Sequence, residues 1–490
     1  MNNENVRVRF APSPTGYLHI GSLRMVVFNY LIARKNNGRM ILRIEDTDQK
    51  RQVDDAIDKL LSILQWLGMN FDEGPHIGGE YGPYIQSQRK DIYEKYALEL
   101  IEKGHAYRCF CGEDRLKQMR QEQVREKKAP KYDGRCAELS SEEVKKKLDK
   151  KEPFVIRQKM PKEGVTKVKD KLRGGIEFNN QDLDDHVLLK TDKMATYQLA
   201  SVVDDHLMKI SHVVRGEEWI PSLPKNVLLY NALGWQTPEF VHLPLTLNKD
   251  GSKLSKRQGD VAVEEYKEKG FLPEALLNFS ALLGWHPKGD KEKFDLNEIV
   301  GEFKIEDIKV SPAVFDMEKL EYLNGYYIRQ KPLKELTEAC LPYLKKNIGK
   351  ASAEHKKEKE FLEQVVAVEK ERLKKLSEIA ELTEFFFIDI PEYDKELLLW
   401  KKLAYEDIKQ NLTEIYEVLE NIKDEEWSQE NIEEKVVGYL KEREKKAGDY
   451  LWPARVALTG KKQSPGPFEI SSILGKKETL QRIENAIQKL

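Results

Sequence analysis

Val6-Arg7-Val8-Arg9-Phe10, then Ala11-Pro12-Ser13-Pro14-Thr15-Gly16, then Tyr17-Leu18-His19-Ile20-Gly21-Ser22 is the stretch on which the fold turns. The first five residues alternate with the period of a half-buried strand, and the proline- and glycine-bearing segment stops it. Apolar residues recur at helical spacing from Leu23 to Arg34. Asn36-Asn37-Gly38 ends that helix, and Met40-Ile41-Leu42-Arg43-Ile44 reads as a buried strand. Strand, helix, strand is a βαβ unit whose first turn carries His19 and two glycines. Glycines let backbone approach a ligand closely, the free N–H groups of a helix start favour phosphate, and His19 can donate a hydrogen bond to charge growing on a phosphoryl oxygen. An isolated His-x-Gly is equally at home as a capped βα turn, so further motifs have to decide.

Working outward, helical periodicity runs from Val53 to Leu67, closing at Gly68, and from Arg89 to Lys103. The opening segment, 1–105, is thus expected to be the first half of a Rossmann-like, doubly wound α/β domain. Lysine-rich segments and short apolar runs such as Pro153-Phe154-Val155-Ile156-Arg157 mark 106–190 as an insert. Strand-like runs at Ser201-Val202-Val203 and His212-Val213-Val214, a helical Asn226 to Leu233 and Phe240-Val241-His242-Leu243 make 191–248 the second half of the split sheet. From about Glu264 the pattern is almost wholly helical, interrupted by Pro287, Pro312, Pro332, Pro391 and Pro453. We expect a loop and helical segment over 249–324 and an all-α domain over 325–490.

Composition sets outer limits. A chain of 490 residues suggests about three to four domains. With 82 Lys and Arg against 84 Asp and Glu, the formal charge of −2 excludes a histone-like polycation while leaving room for a basic face. Four cysteines are too few for a disulfide scaffold, and no run approaches the ~18 apolar residues of a membrane span. The expected compartment is the cytoplasm.

A second motif is Lys249-Asp250-Gly251-Ser252-Lys253-Leu254-Ser255-Lys256-Arg257, with four cations in nine residues. Lysines on such a loop can neutralise charge developing on an α-phosphate and a leaving pyrophosphate. Neither the Walker pattern nor Gly-x-Gly-x-x-Gly occurs, which removes motif support for P-loop NTPases and dehydrogenases.

Together, Arg9 to Ser22 and Lys253-Leu254-Ser255-Lys256-Arg257 resemble the two nucleotide motifs of class I aminoacyl-tRNA synthetases, and the longer stretch is similar to the bacterial-type glutamyl branch. Arg43-Ile44-Glu45-Asp46-Thr47-Asp48, Thr196 to His206, Arg215-Gly216-Glu217-Glu218-Trp219 and Leu458-Thr459-Gly460 match in order along essentially the whole chain. The departures are Ser22 where the class pattern has His, Leu254 and Arg257 for Met and Ser, and Ser201 where the family commonly has Asn. The resemblance implies His19 and Lys256 as catalytic groups, and Gly16, His19, Gly21, Lys253, Ser255 and Lys256 around ATP with Mg²⁺. It implies Arg9, Ala11, Ser13, Glu45, Tyr197, Ser201 and Arg215 around L-glutamate. Two separated cations and one anion suit a substrate with two carboxylates and one ammonium.

The reaction implied is formation of glutamyl-adenylate and transfer to the 3′ end of tRNA-Glu by a monomer. The insert would hold the tRNA acceptor end and the helical half would read the anticodon, with Lys370, Arg372, Lys374 and Lys375 on a basic helix there. A non-discriminating form would also charge tRNA-Gln. A nucleotidyltransferase that does not use tRNA could share the His-x-Gly turn, yet it has no need of so long a helical extension. Glutaminyl-tRNA synthetases usually carry Pro-Glu-Pro-Asn where Ser13-Pro14-Thr15 follows Pro12 here. Finally, Cys109, Cys111 and Cys136 resemble the structural zinc site of some glutamyl synthetases, with Glu138 or Tyr132 as fourth ligand.

Overall fold

The computed structural model describes residues 6–14, 16–48, 55–252, 254, 262–351 and 353–490. Two compact units emerge: one of residues 1–266 with 273–317, the other of 267–272 with 318–490. The boundary expected after 324 falls inside the helix Met317–Gln330, and the units part at that helix's first turn.

In the first unit β1 (Arg7–Phe10) and β2 (Arg39–Leu42) pair in parallel across the helix Ile20–Lys35. That helix is covered on almost every side, burying Leu23, Val27, Phe28 and Leu31 among others. Next come β3 (Ala106–Cys109), β4 (Val155–Gln158), β5 (Val165–Asp170), β6 (Gly174–Asn179) and β7 (Val187–Leu189). Strands β3, β4 and β7 form an antiparallel sheet of their own. β8 (His212–Gly216) and β9 (Glu239–Leu243) run parallel, and the hairpin β5–β6 joins the edge of β9 through Asp170 opposite Phe240. Ser211, just before β8, donates its N–H to the Arg7 carbonyl at 2.9 Å, so β1 and β8 adjoin. The insert expected at 106–190 therefore does not stand wholly apart: its hairpin extends the catalytic sheet. β10 (Thr246–Leu247) and β11 (Ala313–Val314) form a short parallel pair.

Two local expectations are corrected. Ser201-Val202-Val203 lies within the helix Tyr197–Leu207, not in a strand. Its β-branched pair is buried together with Leu199 and Ala200, a helical face whose packing overrides strand propensity. Lys370, Arg372, Lys374 and Lys375 occupy the turn between the helices Lys359–Glu369 and Glu378–Thr383, where Arg372 holds Glu369 and Lys375 holds Glu321.

The second unit is helical. Pro453 sits inside the helix Ala447–Thr459 instead of ending it. A proline there frees the carbonyl four residues back, and the Asn411 amide takes that carbonyl, Asp449 O, at 3.0 Å. Gly460 closes this helix in the left-handed region at φ +67°, where an added Cβ would also press on Pro391 and Tyr393 at 3.1 Å. Arg482, wholly buried, donates to the carbonyls of Phe385, Ile388 and Leu458 and so binds three segments together. No helix among the described residues is long and apolar enough to cross a membrane.

Candidate active site

Parallel strands in an open sheet leave a crevice beyond their carboxyl ends. Here Arg9 stands near the end of β1 and Arg215 near the end of β8, and both line a cavity of about 410 Å³. Ala11, Ser13, Gly16, His19, Glu45 and Tyr197 line the same cavity. Gly21 lies in an adjoining cleft that shares His19, Ser22, Gly216 and Glu218 with it and is closed by Arg24, Thr246 and Leu254. Ser201 does not line the cavity: its Oγ turns back to the Gln198 carbonyl at 3.4 Å. Lys253, Ser255 and Lys256 lie outside the described residues.

His19 caps the helix Ile20–Lys35, its Nδ1 accepting the Gly21 N–H at 2.9 Å. With Nδ1 an acceptor, the neutral ring carries its proton on Nε2, the donor that a phosphoryl oxygen requires. The chain reaches this turn again beyond the cationic loop: His19 bridges Ala262, and the Val263 N–H donates to the Leu18 carbonyl at 2.8 Å. Within that motif, Leu254 donates its N–H to the Thr246 carbonyl at 3.4 Å. Leu254, inside the lysine motif, and Ala262, beyond it, thus both lie beside His19.

The two arginines differ in their partners. Arg9 donates from Nε to Asp205 at 3.0 Å and from Nη1 to the Val214 carbonyl at 3.3 Å. Asp205 is shared with Arg43 at 2.7 Å, and Arg43 also holds Glu45 at 2.9 Å. Asp204, wholly buried, accepts from Arg89, Gln86 and Tyr93 within 2.9 Å. Burial pushes the Glu45 carboxyl up, against the pull of Arg43 and Arg9, so an arriving ammonium would favour its ionised form. Burial opposes the charge on Asp205 too, but the Arg9 and Arg43 guanidiniums outweigh it and hold that carboxyl below its ordinary value.

Among the described residues, Arg215 has no such carboxylate. Its Nε donates to His242 Nε2 at 3.0 Å and its Nη1 to the Tyr197 hydroxyl at 3.2 Å, while buried Nη2 has no hydrogen-bond partner among the described residues. Tyr197 packs on Trp219, ring centroids 4.4 Å apart, and burial raises its phenol pKa. The residues that sequence reading passed over are those behind this wall: Asp170, His242, Arg43, Asp204 and Asp205. The last three fall in quoted motifs without an assigned role, whereas Asp170 and His242 are 72 positions apart and carry no local signal.

A second cluster lies in the insert. The sulfurs of Cys109, Cys111 and Cys136 fall within 4.8 Å of one another, and the Tyr132 hydroxyl is 3.4 Å from both Cys109 and Cys111. Exposed Glu138 is not part of this group, so the structure gathers the tyrosine and leaves the glutamate out.

Residues 5–322 match the catalytic domain of class I tRNA synthetases for glutamate and glutamine, and 335–487 match an anticodon binding domain. The chain is 47% identical to the glutamate–tRNA ligase of Clostridium kluyveri, over 99% of this chain and 98% of that protein. Identity to the Clostridium tetani enzyme is 46%, over 100% and 99%. The solved glutamate tRNA ligase of Elizabethkingia meningosepticum, in complex with its amino acid, superposes with a TM-score of 0.88 at 37% identity, covering 99% of both chains. The chain belongs to the glutamate–tRNA ligases, class I aminoacyl-tRNA synthetases that join L-glutamate to tRNA at the expense of ATP.

Proposed function

We propose that Arg215, with Tyr197, receives the side-chain carboxylate of glutamate, and that Arg9 and Glu45 receive its α-carboxylate and ammonium. The observation that carries this is the buried Arg215 Nη2, without a partner among the described residues, in a cavity whose other arginine is already paired. A cation whose partners are neutral attracts a carboxylate far more than a carboxamide, so the same group separates glutamate from glutamine. His19 Nε2 and Lys256 would stabilise charge on the α-phosphate as the glutamate α-carboxylate attacks it and pyrophosphate, with Mg²⁺, leaves. The ribose hydroxyl of the tRNA end then displaces AMP from the acyl carbon. Arg9→Ala should raise the KM for glutamate about 10- to 100-fold while that for ATP moves little, because a charge-assisted hydrogen bond is lost on one substrate only. Equal shifts in pyrophosphate exchange would make Arg9 structural.

The second unit is read as the anticodon-binding half, and the chain as a cytoplasmic monomer acting on tRNA-Glu. Glutamylation of purified tRNA-Glu and tRNA-Gln tests the substrate: charging of the first alone marks a discriminating enzyme, charging of both a non-discriminating one. Failure to charge either would return the nucleotidyltransferase reading.

A structural zinc ion in the insert fits the residues present. Tetrahedral zinc with Zn–S near 2.3 Å sets sulfurs about 3.8 Å apart, close to the 3.5 Å between Cys111 and Cys136. Cys109, Cys111, Cys136 and the Tyr132 oxygen would hold it, with Arg115 Nη1 3.3 Å from the Cys111 sulfur. The ion would tie the end of β3 to the turn Arg135–Glu138. Elemental analysis of protein purified without chelator should give one zinc per chain, lost in Cys109→Ser. A content well below one, unchanged by that substitution, would remove the metal.

A further inference from the structure

We infer that His242 and Asp170 are positioning residues for glutamate binding: a neutral imidazole relays Asp170 to Arg215, fixing the guanidinium without cancelling its charge. The inference rests on Arg215 being a glutamate ligand. His242 is wholly buried on β9, and its Nδ1 lies 2.7 Å from Asp170 Oδ2. A carboxylate only accepts, so Nδ1 carries the proton and Nε2 is left as the acceptor that Arg215 Nε meets at 3.0 Å. Asp170 is itself locked, its Oδ1 taking the N–H groups of Leu172 and Arg173 and its Oδ2 the N–H of His242. The tautomer is therefore set by a residue on β5, the hairpin that joins the catalytic sheet beside β9.

Chemistry explains why a histidine stands there. A carboxylate placed directly on Arg215 would orient it equally well but would compete with the substrate for the same charge. The imidazole accepts one hydrogen bond, contributes no net charge and leaves Nη2 for the ligand. The arrangement differs from that at Arg9, where Asp205 binds directly and is itself shared with Arg43.

The test measures pyrophosphate exchange with glutamate and with ATP varied in turn, on the full chain. His242→Phe keeps a ring but no acceptor, and should raise the glutamate KM about 10- to 100-fold with the ATP KM within about twofold. His242→Gln, whose carboxamide oxygen can accept from Arg215, should recover most of that loss. Asp170→Asn should raise the glutamate KM on its own, yet add little in the His242→Gln background, because residues acting through one another are not additive. Should His242→Phe fail to fold, the Asp170→Asn and His242→Gln cycle carries the test. Movement of both KM values together, or full additivity in the cycle, overturns the relay. Arg215→Ala separates the two readings: an unchanged glutamate KM there removes the glutamate site itself, whereas a raised one beside a normal His242→Phe removes only the relay.

Discussion

Replacing Lys256 by alanine should lower the rate of glutamyl-adenylate formation about a hundredfold or more at saturating ATP, since a cation placed on transition-state charge is typically worth ~3 kcal/mol. Lys256 lies outside the described residues, but described chain on either side of it is held beside the turn that His19 caps. Leu254, two residues before it, lines the cleft with His19 and Gly21. The chain returns at Ala262 and Val263, paired with His19 and Leu18. The nearest described residues on either side of Lys256, Leu254 and Ala262, thus both lie beside the helix-capping histidine. The effect should fall on the rate more than on the ATP KM, because pyrophosphate gains charge only as the bond breaks. A variant with the parental rate in single-turnover adenylate formation would remove the loop from the mechanism.

The period-two run Val6–Phe10, the breakers after it and the helical spacing that follows made the first βαβ unit legible, because each signal is local. The wall behind the site was not. Arg43 lies two residues from Glu45 along the chain, but Asp204 and Asp205 reach it from the helix Tyr197–Leu207, and nothing in either segment tells which arginine meets which acid. Ser201-Val202-Val203 misled for the same reason: three residues cannot fix a period, and the buried helix face that decides the matter is made by neighbours distant in sequence. Asp170 is the clearest case. Reading 106–190 as a separate insert hid that its hairpin pairs with β9, and that pairing alone brings the acid to His242. The zinc candidate shows the reverse, since the resemblance implied Glu138 or Tyr132 as fourth ligand, and the fold turns the tyrosine toward the sulfurs while exposing the glutamate.

Asp205→Ala should be the most damaging single change to the stability of the first unit, at about 3–5 kcal/mol, the usual loss when one member of a buried ion pair is removed. Asp205 is 5% exposed and balances two guanidiniums, Arg9 at 3.0 Å and Arg43 at 2.7 Å, which are themselves 5% and 0% exposed. Without it, Arg43 still has Glu45 and, more distantly, Asp204 at 3.9 Å. Among the described residues, Arg9 would keep the Val214 carbonyl alone. The buried charge left over is what costs free energy, so Asp205→Asn, which keeps an acceptor but not the charge, should lose less than alanine. The pH dependence has a definite sign. The folded pKa of Asp205 is lowered, so its contribution is complete above the unfolded value of about 3.9 and is lost as pH falls through the folded one. Acid unfolding of the parent should therefore include this group, and the gap in stability between parent and Asp205→Ala should narrow as the pH is taken below about 4. Denaturant titration followed by tryptophan fluorescence between neutral and acid pH measures it. A gap that stays constant across that range would mean that packing, not charge, is what Asp205 supplies.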